Sequence, residues 1–391
     1  MNMKISTLIS ILFISIKLYA QPISFDELSI VHNAKVITID TSKRVFKIVH
    51  IGDSHIQADL FSGKIRSNLQ QQYGNAGIGL LFPYKSINTN GPSTYRTSSI
   101  NKLQANKIVR CKSECSVGIA AYNVILPTNA EIGFMVKYDT MPQHIQLIYQ
   151  SVNADAIIIN NDMDTNNYFT VQVDSFFYAD YKEKVPANFT IKAKSFSVLN
   201  GILSDNGNHG VLYYTVGANG ATINNYLNSN LFFEQLKQLQ PDLVIVSLGT
   251  NESVSDIALD TFYNYQSMFH AKLKAVTSDT SNIIYTTPAD NFKKHKSIIR
   301  KKIKGKWRKR NVKYYVNNTK AKEIRNTIIE FCNATNSMYW DLYEVMGGEK
   351  SMKNWVNNGF AAKDHIHFTK SGYELQGDLF YKALQKILTL K

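Results

Sequence analysis

Gly52-Asp53-Ser54-His55 near the beginning of the chain and Asp364-His365-Ile366-His367 near its end hold residue types able to carry acyl transfer. A serine hydroxyl is a weak nucleophile at neutral pH; it needs a base, and the base needs an orienting partner. An aspartate three residues before a histidine lets one turn of backbone bring carboxylate and imidazole together. The carboxylate then accepts from one ring nitrogen while the other is free to face a hydroxyl. Ser54 is the expected nucleophile, His367 the expected base and Asp364 its partner, with His365 as a minor alternative for the base.

Such groups act only if the fold converges on them. Val45–Ile51 (VFKIVHI) is a β-branched apolar run of the kind found in buried parallel strands, and it stops at Gly52. Phe61, Ile65 and Leu69 then recur at helical spacing as far as Gly74. A serine between strand and helix lies on a tight turn, where backbone N–H groups point at developing negative charge. The pattern returns downstream: strand Val211–Val216 ends at Gly217-Ala218-Asn219-Gly220, helix Asn224–Leu239 follows, and strand Leu243–Leu248 ends at Gly249-Thr250-Asn251-Glu252. Strand Ile283–Thr287 and helices Lys320–Asn333 and Ser371–Leu388 complete the series. Polar motifs after successive buried strands belong at the carboxyl edge of one parallel sheet, where open α/β folds bind ligands. Between about Tyr84 and Asn208 the runs are short, alternating and bounded by turn residues, which predicts an inserted antiparallel β-sandwich or jelly-roll-like module.

The order GDSH (52–55), GANGAT (217–222), GTNE (249–252) and DHIH (364–367) resembles the SGNH, or GDSL-like, serine hydrolases. The resemblance implies a flavodoxin-like three-layer α/β/α hydrolase with a parallel sheet. Its domain would be discontinuous, at 21–84 and 209–391, with the β-rich and carbohydrate-binding insertion at 85–208. It implies an oxyanion hole made by the Ser54 N–H, the Gly220 N–H and the Asn251 side chain, with Gly217 as the alternative glycine. GDSHIQADLFSGKIR, followed by YGNAGIG and a β-rich insertion, is similar to the peptidoglycan and polysaccharide O-acetylesterase branch. Asp53, Asp59 and Glu252 are read as hydrogen-bond anchors of their loops, and His55 as a structural or substrate-shaping neighbour of Ser54.

Composition narrows the setting. Lys4, the apolar run Ile5–Ile16 and Leu18-Tyr19-Ala20 have the layout of a cleavable signal peptide (1–20), too short to span a bilayer. The mature chain is expected to be exported, periplasmic or extracellular, without a transmembrane segment. Of three cysteines, Cys111 and Cys115 are close enough for a local disulfide or are two free thiols, and Cys332 has no obvious partner. No metal site or cofactor is expected, since the histidines are scattered and serine esterases need neither. The net charge of +14 is concentrated in Phe292–Lys313, where twelve Lys and Arg occur without an acid. This run is either a solvated loop or helix face, or a contact for an anionic glycan, a phosphate-bearing wall polymer or acidic lipid through Lys293–Lys313; nucleic acid is not expected.

The expected activity is release of O-acetyl groups from a carbohydrate polymer, peptidoglycan foremost. A polysaccharide O-acetyltransferase on the same triad, a non-catalytic glycan-binding protein on a degenerate scaffold, and a lipase or thioesterase are the alternatives.

Overall fold

The computed structural model describes residues 29–40, 44–112, 115–138, 141–160, 168–303 and 306–391. The expected signal peptide lies outside them. The central sheet has five parallel strands in the spatial order Gly210–Gly217, Val45–Gly52, Leu243–Ser247, Asn282–Thr286 and Met338–Trp340. A two-residue strand, Val31–His32, joins the last of them antiparallel. Numbered along the chain the parallel order is 2-1-3-4-5, so the order reverses beside Val45–Gly52, and a ligand crevice is expected at that point.

Side chains alternate across this sheet. Phe46, Ile48, Tyr213 and Ile245 pack under helices Phe61–Tyr73 and Lys370–Gln385. Val49, Ile51, Val244 and Val246 pack against Asn230–Leu239, Leu259–Val276 and Thr319–Thr335. Burial on both faces explains why these strands read as continuous apolar runs rather than alternating ones.

The insertion forms two antiparallel sheets. One is ordered Ile157–Asn160, Asn188–Ala193, Glu131–Val136, Tyr95–Ser98. The other runs Tyr168–Val173, Phe176–Tyr181, His144–Gln150, Ser197–Asp205, Tyr122–Leu126, Gln104–Lys107. Gly79–Leu81, ahead of residue 85, also pairs with Ser197–Asp205. Buried side chains of both sheets, among them Ile132, Phe134, Leu147 and Tyr149, belong to the same apolar cluster as Val49, Val216 and Phe232 of the α/β part. The module therefore shares a core with the hydrolase layers.

Several local expectations are corrected. The helix expected over Asn224–Leu239 is two helices, Ile223–Leu227 and Asn230–Leu239, because Ser229 breaks the first and caps the second by accepting from the Phe232 N–H. The final helix ends at Gln385 rather than Leu388; Leu388–Leu390 instead pairs in parallel with Ile37–Ile39. Helix Leu259–Val276 and strand Met338–Trp340 were not anticipated. The basic run is neither loop nor helix face but a hairpin of two 12-residue strands, Phe292–Ile303 and Lys306–Asn317. Cys111 and Cys115 form a disulfide, and Cys332 is buried and free. Among the described residues no helix is long and apolar enough to cross a membrane.

Candidate active site

Three adjacent strands end at one level, since Gly52 is registered with Gly217 on one side and with Ser247 on the other. The loops that follow carry three of the four motifs, so strand pairing itself brings them together. Position 52 admits only glycine: a Cβ there would lie 2.2 Å from Ile56 Cγ1 and 2.9 Å from the Ser247 carbonyl. That close approach lets the chain turn at once into the short helix Ser54–Gln57. Asp53 caps this helix, accepting the His55 N–H at 2.9 Å.

The Ser54 Oγ lies 3.0 Å from His367 Nε2, and His367 Nδ1 lies 2.8 Å from Asp364 Oδ2. The other oxygen of Asp364 accepts the backbone N–H groups of Ile366 and His367, both at 3.0 Å. One carboxylate thus holds the turn and the ring together. Partial burial would raise the Asp364 carboxyl, but the His367 ring and these two N–H groups hold it well below the usual carboxylate range. The hydrogen bond that Asp364 accepts from the ring in turn raises His367 above its ordinary 6.5, against the opposing effect of desolvation. His365, the alternative base, takes a left-handed conformation (φ 60°) that turns its ring away to pack on Tyr315 and Phe292. His367, not His365, faces Ser54.

The loop after Gly217 is a tight turn, with the Ala221 N–H donating to the Ala218 carbonyl at 2.9 Å. Gly220 is at its exposed tip with φ 84° and open space where a side chain would be. Gly217, by contrast, is the buried last residue of its strand, where a Cβ would meet the Gln57 nitrogen at 2.4 Å. Asn251 Nδ2 donates to the Ala221 carbonyl at 2.9 Å and to Asp53 Oδ2 at 3.1 Å, which ties the third motif to the other two.

Behind these groups lie buried carboxyls. Burial pushes Asp53 and Glu252 up to about 7 each. Glu252 accepts the Ile223 N–H at 2.7 Å, and Asp59 accepts Ser62, Arg66 and Thr215. These are loop anchors, as expected. His55 is held by the Tyr373 hydroxyl at 2.9 Å, its ring centre 5.3 Å from that of His367. Burial, reinforced by His367, pushes it down to about 3, so it stays neutral.

Sequence reasoning missed Gln57. Its Oε1 accepts the Asn219 N–H and the Tyr122 hydroxyl, both at 2.7 Å, and its Nε2 donates to Thr89 Oγ1 and to Asn90. Asn219 Nδ2 donates to Asn90 as well. The β-module thus touches the Gly220 loop through residues 89 and 90, a link no local pattern announces. Among the described residues no group of His, Cys, Asp and Glu is arranged to hold a metal ion.

A serine, a histidine and an aspartate in hydrogen-bonded series, beside a turn rich in N–H groups, can form and hydrolyse an acyl-serine. Residues 194–375, which include Gly220, Asn251, Asp364 and His367, match the model of the GDSL-like lipase/acylhydrolase family. The fold is similar to that of a solved peptidoglycan O-acetylesterase, with a TM-score of 0.74 and 20% identity over 89% of this chain and 92% of that one. A family two carbohydrate esterase from Cellvibrio japonicus is 12% identical over 75% and 98% of the two chains, with a TM-score of 0.32. A lipase/acylhydrolase from Enterococcus faecalis is 22% identical over 47% and 80%, with a TM-score of 0.33. No curated protein matches the chain. Residues 194–375 thus resemble the GDSL-like lipase/acylhydrolase family, and the fold of the whole chain agrees with that resemblance.

Proposed function

We propose that the protein is an exported O-acetylesterase that removes acetyl groups from a carbohydrate polymer, with peptidoglycan as that polymer. The observation that carries the reading is the hydrogen-bonded series Ser54, His367, Asp364 at the carboxyl edge of the sheet. The choice of substrate draws on the similarity of the whole fold, module included, to a peptidoglycan O-acetylesterase. Export draws on the amino-terminal leader pattern, and the Cys111–Cys115 disulfide suits an oxidising compartment.

In this mechanism His367 Nε2 takes the proton of Ser54 as its oxygen attacks the acetyl carbonyl. Asp364 steadies the imidazolium that results. The oxyanion receives the N–H groups of Ser54 and Gly220, and Asn251 shares with it a hydrogen now given to Ala221 or Asp53. His367 then protonates the departing sugar oxygen, activates a water against the acetyl-serine and is restored as acetate leaves. The test is acetate release from O-acetylated peptidoglycan, acetylated xylan and p-nitrophenyl acetate. The substrate assignment predicts preference for the first; equal or better turnover of xylan would overturn it. Acetyl transferred to an added glycan in place of water would reveal a transferase on the same residues.

A further inference from the structure

The basic hairpin leaves the body beside the catalytic loop and touches little but itself. At its root the Phe292 N–H donates to the His365 carbonyl at 3.1 Å, and Asn317 Nδ2 donates to Asp290 at 2.8 Å. Beyond the root, the described side chains on both faces are mostly exposed. Strands of 12 residues extend for roughly 40 Å.

The pairing register places like charges directly opposite one another at Lys296–Lys313, Arg300–Lys309 and Lys301–Arg308. Such pairs oppose strand association, and an isolated two-stranded hairpin is marginal in water even without them. A negatively charged partner supplies what the arm lacks.

The apolar residues say which kind. Alternation puts Ile298 and Trp307 on one face, among Arg300, Lys302 and Lys309, and Ile299 on the other, among Lys301, Arg308 and Arg310. Ile298 is 66% exposed and Trp307 68%. A soluble polyanion, glycan or phosphate polymer, would use the cations on either face but has no use for the isoleucines. Cations mixed with aliphatic and indole side chains on both faces instead suit immersion in the headgroup region of a bilayer, where tryptophan is favoured and cations meet anionic lipid. We propose that the Phe292–Asn317 hairpin is a membrane-docking arm that inserts its outer half into an anionic lipid surface and so holds the active site near that surface.

The test uses the full chain with vesicles of phosphatidylcholine containing either no phosphatidylglycerol or about one third of it. The wild type should sediment with the anionic vesicles and not with the neutral ones, and less so as salt rises. Its tryptophan emission should shift to the blue on binding. The chain has three tryptophans, and Trp340 and Trp355 are buried, so the shift reports Trp307. Reversing Lys301, Lys302, Arg308, Lys309 and Arg310 to Glu should weaken vesicle binding by more than about 100-fold. Changing Ile298, Ile299 and Trp307 to Ser should weaken it by about tenfold or more. Unchanged p-nitrophenyl acetate turnover shows that each variant is folded. Failure of the wild type to bind anionic vesicles at low salt would overturn the proposal. So would equal binding to soluble polyphosphate with no loss in the serine variant, which would make the arm a polymer contact. Neither outcome bears on the esterase reading.

Discussion

Asp364 and His367 stand with 48% and 42% of their side chains exposed, on a turn of four residues, whereas Asp53 and Glu252 across the crevice are 0% and 2% exposed. On the proposed reading the first wall moves protons, and there the hydrogen bonds outweigh partial desolvation, so the carboxylate stays ionised and the imidazole more basic than usual. On the same reading the second wall holds N–H groups still, and burial dominates there, lifting both carboxyls to about 7. Carboxyls on one crevice thus take opposite shifts because one is met by donors at the surface and the others are stripped of water. Proton transfer and oxyanion binding should therefore fail separately.

The proton-transfer wall should give the largest loss. Ser54→Ala and Asp364→Asn should each lower p-nitrophenyl acetate turnover by about 10⁴ or more with the circular dichroism unchanged. Near-normal turnover in either would remove the triad. Asn251→Ala should cost ~10²–10³ in kcat, the usual loss for one oxyanion donor. A change under about tenfold would mean that Asn251 serves only to tie Asp53 to Ala221.

The pH profile sharpens the contrast. His367 accepts a proton only when neutral, so kcat/KM should rise with pH through an inflection above the ordinary 6.5. In the residual activity of Asp364→Asn that inflection should move down, because the group that raises His367 has lost its charge. An inflection that stays in place would point to Asp53 of the opposite wall as the titrating group.

The smallest effect concerns stability. The folded-state pKa of Glu252, about 7, lies above its unfolded value of 4.5, so the folded state binds this proton more tightly. The stabilisation is complete below the unfolded value and is lost as pH rises toward 7. The Tm of the wild type should fall across that window, and Glu252→Gln should flatten the fall. Identical slopes would show that Glu252 is not desolvated as its burial implies.

Three of the four motifs were legible because each sits where a buried strand stops, and the abrupt change from Val, Ile and Leu to Gly, Asp and Asn marks that place without any tertiary knowledge; the fourth, Asp364–His367, follows helix Ser351–Asn357 and was read from the spacing of its Asp and His. Helix Leu259–Val276 was not read because only Phe262, Gln266, Phe269 and Leu273 of its 18 residues are buried, a narrow stripe in a polar segment. The hairpin escaped for another reason: its lysines and arginines are poor strand signals, and its pairing is set by register rather than by an apolar face. Gln57 and Asn90 meet across the boundary between module and hydrolase, where residues far apart in the sequence become neighbours only after both parts fold. The shared core has the same origin, and it makes deletion of residues 85–208 a test of folding more than of substrate choice.

Ser54 and His367 are separated by 313 positions. A chain made from its amino end thus exposes Ser54, the loops after Gly217 and Gly249 and the whole β-module long before Asp364 and His367 exist. On the proposed reading, Ser54 is an ordinary alcohol throughout that interval. The pairing that closes the series is among the longest-range in the fold, and such contacts form late. On the proposed reading the catalyst is armed by the arrival of one turn, Asp364 to His367, and a chain stopped short of it would also lack helix Lys370–Gln385, which covers one face of the sheet.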